Sequence, residues 1–331
     1  MKKTVTGLFI VCLLCSCNFC GSGATETTDT ASASVQETLV VPTFDVDSAY
    51  RYTAEQVAFG ARVPESVAHK RCADYFVAQL TRFGATTMVQ EGLVERYDGK
   101  LFTAKNIIAS FDTINKRRVL LCAHWDTRPF SDNDPDEANW NKPVLGANDG
   151  ASGCGVLLEV ARVVGQQMPN IGIDIILFDA EDSGKPQFYT GAIQEHTWCL
   201  GSQYWARNPH KKNYRAEYGI LLDMVGAPKA TFYKERFSVN YAAFVVDNIW
   251  KTAAQLGYDH YFIDKIGTYI IDDHYYINEL AGIPMADIIH TTSSETGFAD
   301  YWHTQNDTME NVDKETLKAV GQTVLHILYT N

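Results

Sequence analysis

The sequence predicts an α/β fold: a single domain with a mostly parallel central β-sheet flanked by helices on both faces. Three observations lead there. Short apolar runs bounded by turn residues alternate with longer stretches of helical periodicity, as in a parallel sheet with crossover helices. The strand candidates are apolar throughout rather than alternating, so both of their faces are buried. Hydrophobic residues make up 46% of the 331 positions, enough for a sizeable core and more than a disordered chain carries.

Taken in order, the chain opens outside the fold. Lys2 and Lys3 precede an apolar run from Val5 to Leu14, which is too short to span a bilayer. A basic start, a short apolar core and small residues read as a secretory signal. Leu14-Cys15-Ser16-Cys17 resembles a bacterial lipobox, in which cleavage leaves a lipid-modified cysteine. The expected organisation is a signal peptide at 1–16, a lipid anchor at Cys17 with a flexible Gly/Ser/Ala/Thr tether over 17–38, and a folded domain over 39–331. That places the chain in a bacterial cell envelope as a periplasmic lipoprotein, touching membrane only through its anchor. An ordinary signal peptide cut nearby is the alternative.

Charge and cysteines narrow the classes. The net charge is −12 and no basic run exists, which argues against nucleic acid. Cys12, Cys15, Cys17 and Cys20 lie in the signal and anchor region; Cys72, Cys122, Cys154 and Cys199 show no CxxC spacing. A cysteine-held zinc site is therefore not expected, and buried free thiols are, although an envelope location permits disulfides. A monomer is expected.

Helices are expected over 50–59, 66–83, 151–166, 201–207, 239–256, 273–281 and 313–329, and strands over 106–110, 119–123, 173–178, 218–222 and 284–289. Such sheets bind ligands beyond the carboxyl ends of their strands, so the residues that follow each run matter most. After 119–123 come His124-Trp125-Asp126; after 173–178, Asp179-Ala180-Glu181-Asp182; after 218–222, Asp223; after 284–289, His290 and a loop to Trp302-His303-Thr304. Gly146-Ala147-Asn148-Asp149-Gly150-Ala151-Ser152-Gly153 opens the helix in between.

Each has a plain reading when taken singly. Asp149 suits a helix N-cap, Asp223 a turn, His303 a surface loop, and Glu181 and Asp182 a solvated loop. The acidic run 132–137 reads as a solvated loop, with a calcium loop as the alternative. Together, carboxylates converging on one sheet edge need a counter-charge, and no Lys or Arg follows these strands apart from Arg128. A divalent cation answers this, and oxygen and nitrogen donors without thiolate suit zinc in a catalytic site.

These residues, in this order, resemble the zinc aminopeptidase-like superfamily, with its HxD, GANDxASG-type loop, acidic pair, Asp and His. Within it the sequence is most similar to the animal-like, zinc-dependent glutaminyl cyclases. The likeness rests on Leu222-Asp223-Met224-Val225-Gly226-Ala227-Pro228, Asp272-Asp273-His274, Tyr301-Trp302-His303-Thr304 and Gly60-Ala61-Arg62-Val63-Pro64-Glu65-Ser66, and it covers roughly residues 50–329. It implies one zinc per chain held by Asp149, Asp182 and His303, Glu181 as catalytic acid/base, Asp223 and Asp272 as its acid network, and Trp302 as a pocket wall. It implies peptide or protein substrates beginning with Gln, or Glu, cyclised to pyroglutamate with release of ammonia. Two departures stand out. The second ligand is Asp182 where animal cyclases have Glu, and the segment 183–198 is longer, with Trp198 as a replacement wall or else a core Trp. Ala123, where animal enzymes often carry Cys, leaves Cys122 facing the other side of the strand, which argues against a Cys122–Cys154 disulfide. Two rivals remain: a two-zinc aminopeptidase, with His124 and Asp223 completing a second site bridged by Asp149, and a catalytically inactive peptidase-like binding domain.

Overall fold

The computed structural model describes residues 40–192 and 194–330. The expected signal peptide, Cys17 anchor and tether lie outside the described residues. Among the described residues eight strands and seven α-helices follow in chain order: α1 (Val46–Val57), α2 (Val67–Arg82), β1 (Thr86–Glu95), β2 (Leu101–Phe111), β3 (Arg118–His124), α3 (Ala151–Gln166), β4 (Gly172–Phe178), α4 (Leu200–Arg207), β5 (Tyr218–Asp223), β6 (Phe232–Lys234), α5 (Arg236–Gln255), β7 (Phe262–Ile266), α6 (Asp273–Tyr276), β8 (Met285–Ile289) and α7 (Lys314–Thr330).

Six strands form the central sheet in the order β1-β2-β4-β3-β5-β8. The pairs β3/β4, β3/β5 and β5/β8 are parallel, and β1/β2 and β2/β4 are antiparallel. The parallel core is buried on both faces because its side chains feed two clusters in alternation. Leu121, Ile175 and Ile220 pack under α1, α2, α3, α5 and α7 with Tyr52, Phe76, Val160, Ile249 and Val324. Leu120, Cys122, Ile176 and Leu221 pack on the opposite face with Trp205 of α4 and Ile277. The chain leaves β3 towards β4 on one side and then crosses to β5 on the other. β3 is therefore the switch point, where a parallel sheet opens a crevice at its carboxyl edge.

The helix starts follow their caps. Asp45 accepts from Asp47 N and Ser48 N and begins α1 four residues ahead of the expected start; Glu235 accepts from Phe237 N and Ser238 N and begins α5. The expected helix 273–281 is one short α-helix continued by a π-helical turn over Ile277–Ala281. β1 escaped the sequence reading because only alternate positions in its second half are buried. β6 and β7 form a separate two-stranded sheet. Cys72, Cys122, Cys154 and Cys199 are buried free thiols. Among the described residues no helix is long and apolar enough to cross a membrane.

Candidate active site

The loop before α3 delivers the first ligand candidate. Asp149 does not cap α3: the N-cap is Gly150, with no side-chain hydrogen bond. Asp149 is freed because its loop is held elsewhere. Asn148 N and Asp149 N donate to the two carboxylate oxygens of Asp307 at 2.7 and 3.1 Å, and Gly226 N donates to Asn148 Oδ1 at 2.8 Å. Gly150 must be glycine, since a Cβ there would lie 2.4 Å from His124 O and 2.5 Å from His124 Nε2.

At the end of β4, the backbone N–H groups of Glu181 and Asp182 donate to the two oxygens of Asp126 at 3.0 and 3.2 Å. Asp126 of the HxD motif thus grips the acidic pair through its backbone and leaves both side chains free. His303 comes from the loop after β8, with Nε2 3.1 Å from Asp182 Oδ1 and 3.6 Å from Asp149 Oδ2. His124 Nε2 lies 2.8 Å from Asp149 Oδ1 and 3.2 Å from Asp223 Oδ1.

Among the described residues four groups of side chains are close enough to hold a metal ion; two of them, Asp149, Asp182 and His303, and His124, Asp149 and Asp223, share Asp149, and the others are Glu181, Cys199 and Asp272, and Asp272, His274 and Asp287. The donor set of the two that share Asp149 fits zinc: carboxylate oxygen and imidazole nitrogen, no thiolate. Asp182 Oδ1 is buried and makes no well-formed hydrogen bond, with His303 Nε2 3.1 Å away, which suits a metal-ligand oxygen. The expected ligand set and the second-site alternative are therefore both assembled.

All eight residues singled out for catalysis, metal and substrate line one cavity of about 630 Å³: Asp149, Glu181, Asp182, Trp198, Asp223, Asp272, Trp302 and His303. Trp302 stacks on His303, centroids 3.6 Å apart, and Trp198 lies within 5° of parallel to the same imidazole at 6.1 Å. Trp198 is a cavity wall rather than a core residue.

Burial pushes the Glu181 carboxyl well up; His124 opposes this, and Asp182 and Asp272 reinforce it. Burial likewise raises Asp223 and Asp272. Asp182 goes the other way: burial would raise it, but His303 and Arg128 bring it down to about 2. One neighbourhood thus holds carboxyl groups pushed in opposite directions, Glu181 up and Asp182 down, the separation acid–base chemistry needs. Glu181 Oε1 also accepts from the Cys199 thiol at 3.2 Å.

Several supports escaped the sequence reading. Asp307 was legible only as the middle of a polar Asn-Asp-Thr triplet, and its partner Asp149 is 158 positions away. The acidic run 132–137 is not simply solvated. Asp132 and Asp134 are buried; Asp132 pairs with Arg128, and Asp134 accepts from Gln305 N at 2.9 Å. Arg128 supplies part of the counter-charge, 3.7 Å from Asp182 Oδ1. His290 stands outside the cluster, its Nδ1 accepting from Thr231 N at 3.0 Å.

A cluster of carboxylates and imidazoles able to hold a metal, at the switch point of a mostly parallel sheet, defines a metallopeptidase-like α/β protein. The model for Peptidase family M28 matches residues 106–328, and the chain belongs to that family. The glutaminyl-peptide cyclotransferase of Bos taurus is 29% identical over 244 residues, 64% of this chain; the chain spans 62% of that relative's length. The structure of the Tannerella forsythia glutaminyl cyclase is 55% identical with a TM-score of 0.86, covering 88% of this chain and 100% of that one. A Zn-dependent exopeptidase from Parabacteroides distasonis ATCC 8503 is 56% identical with a TM-score of 0.87, over the same shares.

Proposed function

We propose that this chain is a glutaminyl-peptide cyclotransferase that converts N-terminal Gln of peptides and proteins to pyroglutamate and ammonia. One observation carries the reading: a single cavity holds Glu181, Asp223 and Asp272 between the Trp198 and Trp302 walls, beside Asp149, Asp182 and His303. The likeness to the glutaminyl cyclase of Tannerella forsythia, at 55% identity, supports it.

In the reaction the substrate α-amine attacks its own γ-carbonyl carbon. A ring C–N bond forms, the C–NH₂ bond breaks, and one proton passes from the attacking to the leaving nitrogen. Glu181 suits that transfer because it lies in the cavity beside Asp223 and Asp272 and its carboxyl is pushed up by burial. Asp223 and Asp272 share its proton network. Trp198 and Trp302 hold the glutamine curled, so that amine and carbonyl meet without a search. Asp149, Asp182 and His303 would hold one zinc per chain, which when bound would supply Lewis-acid polarisation of the γ-carbonyl.

The aminopeptidase reading keeps one observation in its favour, the His124–Asp149–Asp223 group. Mass spectrometry of a Gln-initiated peptide separates the two. Loss of one ammonia from an intact chain supports the cyclotransferase; release of free glutamine supports the peptidase; no product supports a binding domain. We also propose that the protein works as a monomeric lipoprotein of the bacterial envelope anchored through Cys17. Labelled palmitate incorporated by the wild type but not by Cys17→Ala is the expected result.

A further inference from the structure

We infer that Arg128 is a positioning residue that locks the Asp182 ligand loop, the His303 ring and the Trp198 wall into one unit. Metal affinity and substrate fit are then set together rather than separately.

Arg128 is 1% exposed, and its fork is filled. Nε and Nη2 donate to the Asp132 carboxylate at 2.8 and 2.7 Å. Nη1 donates to Asp182 O at 3.1 Å and Gly184 O at 3.2 Å, and Nη2 to Lys185 O at 3.2 Å. The guanidinium thus holds three carbonyls of the loop that begins at ligand Asp182. Its carbon also lies 4.5 Å from the centroid of the Trp198 ring, within cation–π range.

The loop reaches the indole independently. A Cβ on Gly184 would sit 2.0 Å from Trp198 Cε2, so the backbone runs flush against the ring. The other arm of the clamp reaches His303. Asp132 Oδ1 is 3.6 Å from His303 Nδ1, and Asn133 N donates to His303 O at 3.2 Å. An acid behind a ligand imidazole orients the ring and raises its basicity. Lysine cannot take this place: its point charge cannot fork to a carboxylate and span three carbonyls.

The kinetic half of the inference rests on the cyclotransferase reading above; the metal half does not. The test is a double-mutant cycle of Arg128→Lys and Trp198→Leu in the purified full-length protein. Zinc affinity is read by chelator competition, thermal stability by melting, and kcat and KM by ammonia release from a Gln peptide. Arg128→Lys is expected to weaken zinc binding about 10- to 100-fold and to raise KM. Trp198→Leu removes no ligand, yet is expected to weaken zinc about threefold or more. In the double variant the two losses should not multiply, because both act through one clamp. Wild-type zinc affinity in either folded variant overturns the inference, as do losses that multiply. A lower melting temperature with unchanged zinc affinity assigns Arg128 a merely structural role and also overturns it. Should Arg128→Lys fail to fold, Trp198→Leu decides alone. If the wild type releases no ammonia, the cyclotransferase reading fails and the zinc cycle still decides the clamp.

Discussion

Replacing Glu181 by Gln isolates proton transfer from everything else the site does. The amide keeps the shape of the carboxyl, and its Oε1 can still accept from the Cys199 thiol, now 3.2 Å away. The Glu181 and Asp182 backbones stay gripped by Asp126, so Asp182, the proposed zinc ligand, should not move. Burial already drives the Glu181 carboxyl well up, towards its neutral form. With shape and backbone contacts kept, stability should change by less than about 1 kcal/mol. What disappears is the capacity to take a proton from one nitrogen and return it to the other. That step is worth about 10²–10⁴ in rate, or roughly 3–5 kcal/mol. Continuous ammonia detection with a Gln peptide, with zinc content measured in parallel, reads both terms. The expected result is kcat down by about two to four decades, KM little changed and zinc retained. A kcat within tenfold of wild type would falsify the shuttle role, and loss of zinc would instead make Glu181 a ligand.

Other perturbations test other parts of the structure. Zinc titration into metal-stripped protein should saturate at one ion per chain; two ions would shift weight to the His124–Asp149–Asp223 site and a peptidase. Glu235, in spite of burial, is brought down to about 2 by His274 and the N–H groups it caps. The stability it adds is therefore full above its unfolded pKa of about 4.3 and lost as pH falls through about 2. This amounts to roughly 3 kcal/mol at most; urea unfolding of Glu235→Gln at pH 7 and pH 3 should show the smaller pH dependence. Gly153→Ala would place a Cβ 2.3 Å from Leu222 O, where α3 packs on the sheet. It should cost about 1–3 kcal/mol of overpacking, whereas an unchanged or raised melting temperature would mean that α3 yields.

The strand runs at 119–123, 173–178 and 218–222 were legible because burial on both faces demands unbroken apolar sequence, a property of neighbouring residues. The candidate site positions were legible for a related reason: a parallel sheet presents the residues that follow its strands at one edge. β1, half exposed, carried no such signal, and β6 is only three residues long. Tertiary structure alone decided which acids serve the site and which support it. Asp307 and Asp132 look like solvated loop acids in the chain. They are buried because one meets the backbone of Asp149 and the other the fork of Arg128. His290 shows the converse, following a strand like the site residues yet bonding to Thr231. Local sequence determines whether a segment can be buried; only the packed chain determines which distant partner meets a polar group, and hence what work that group can do.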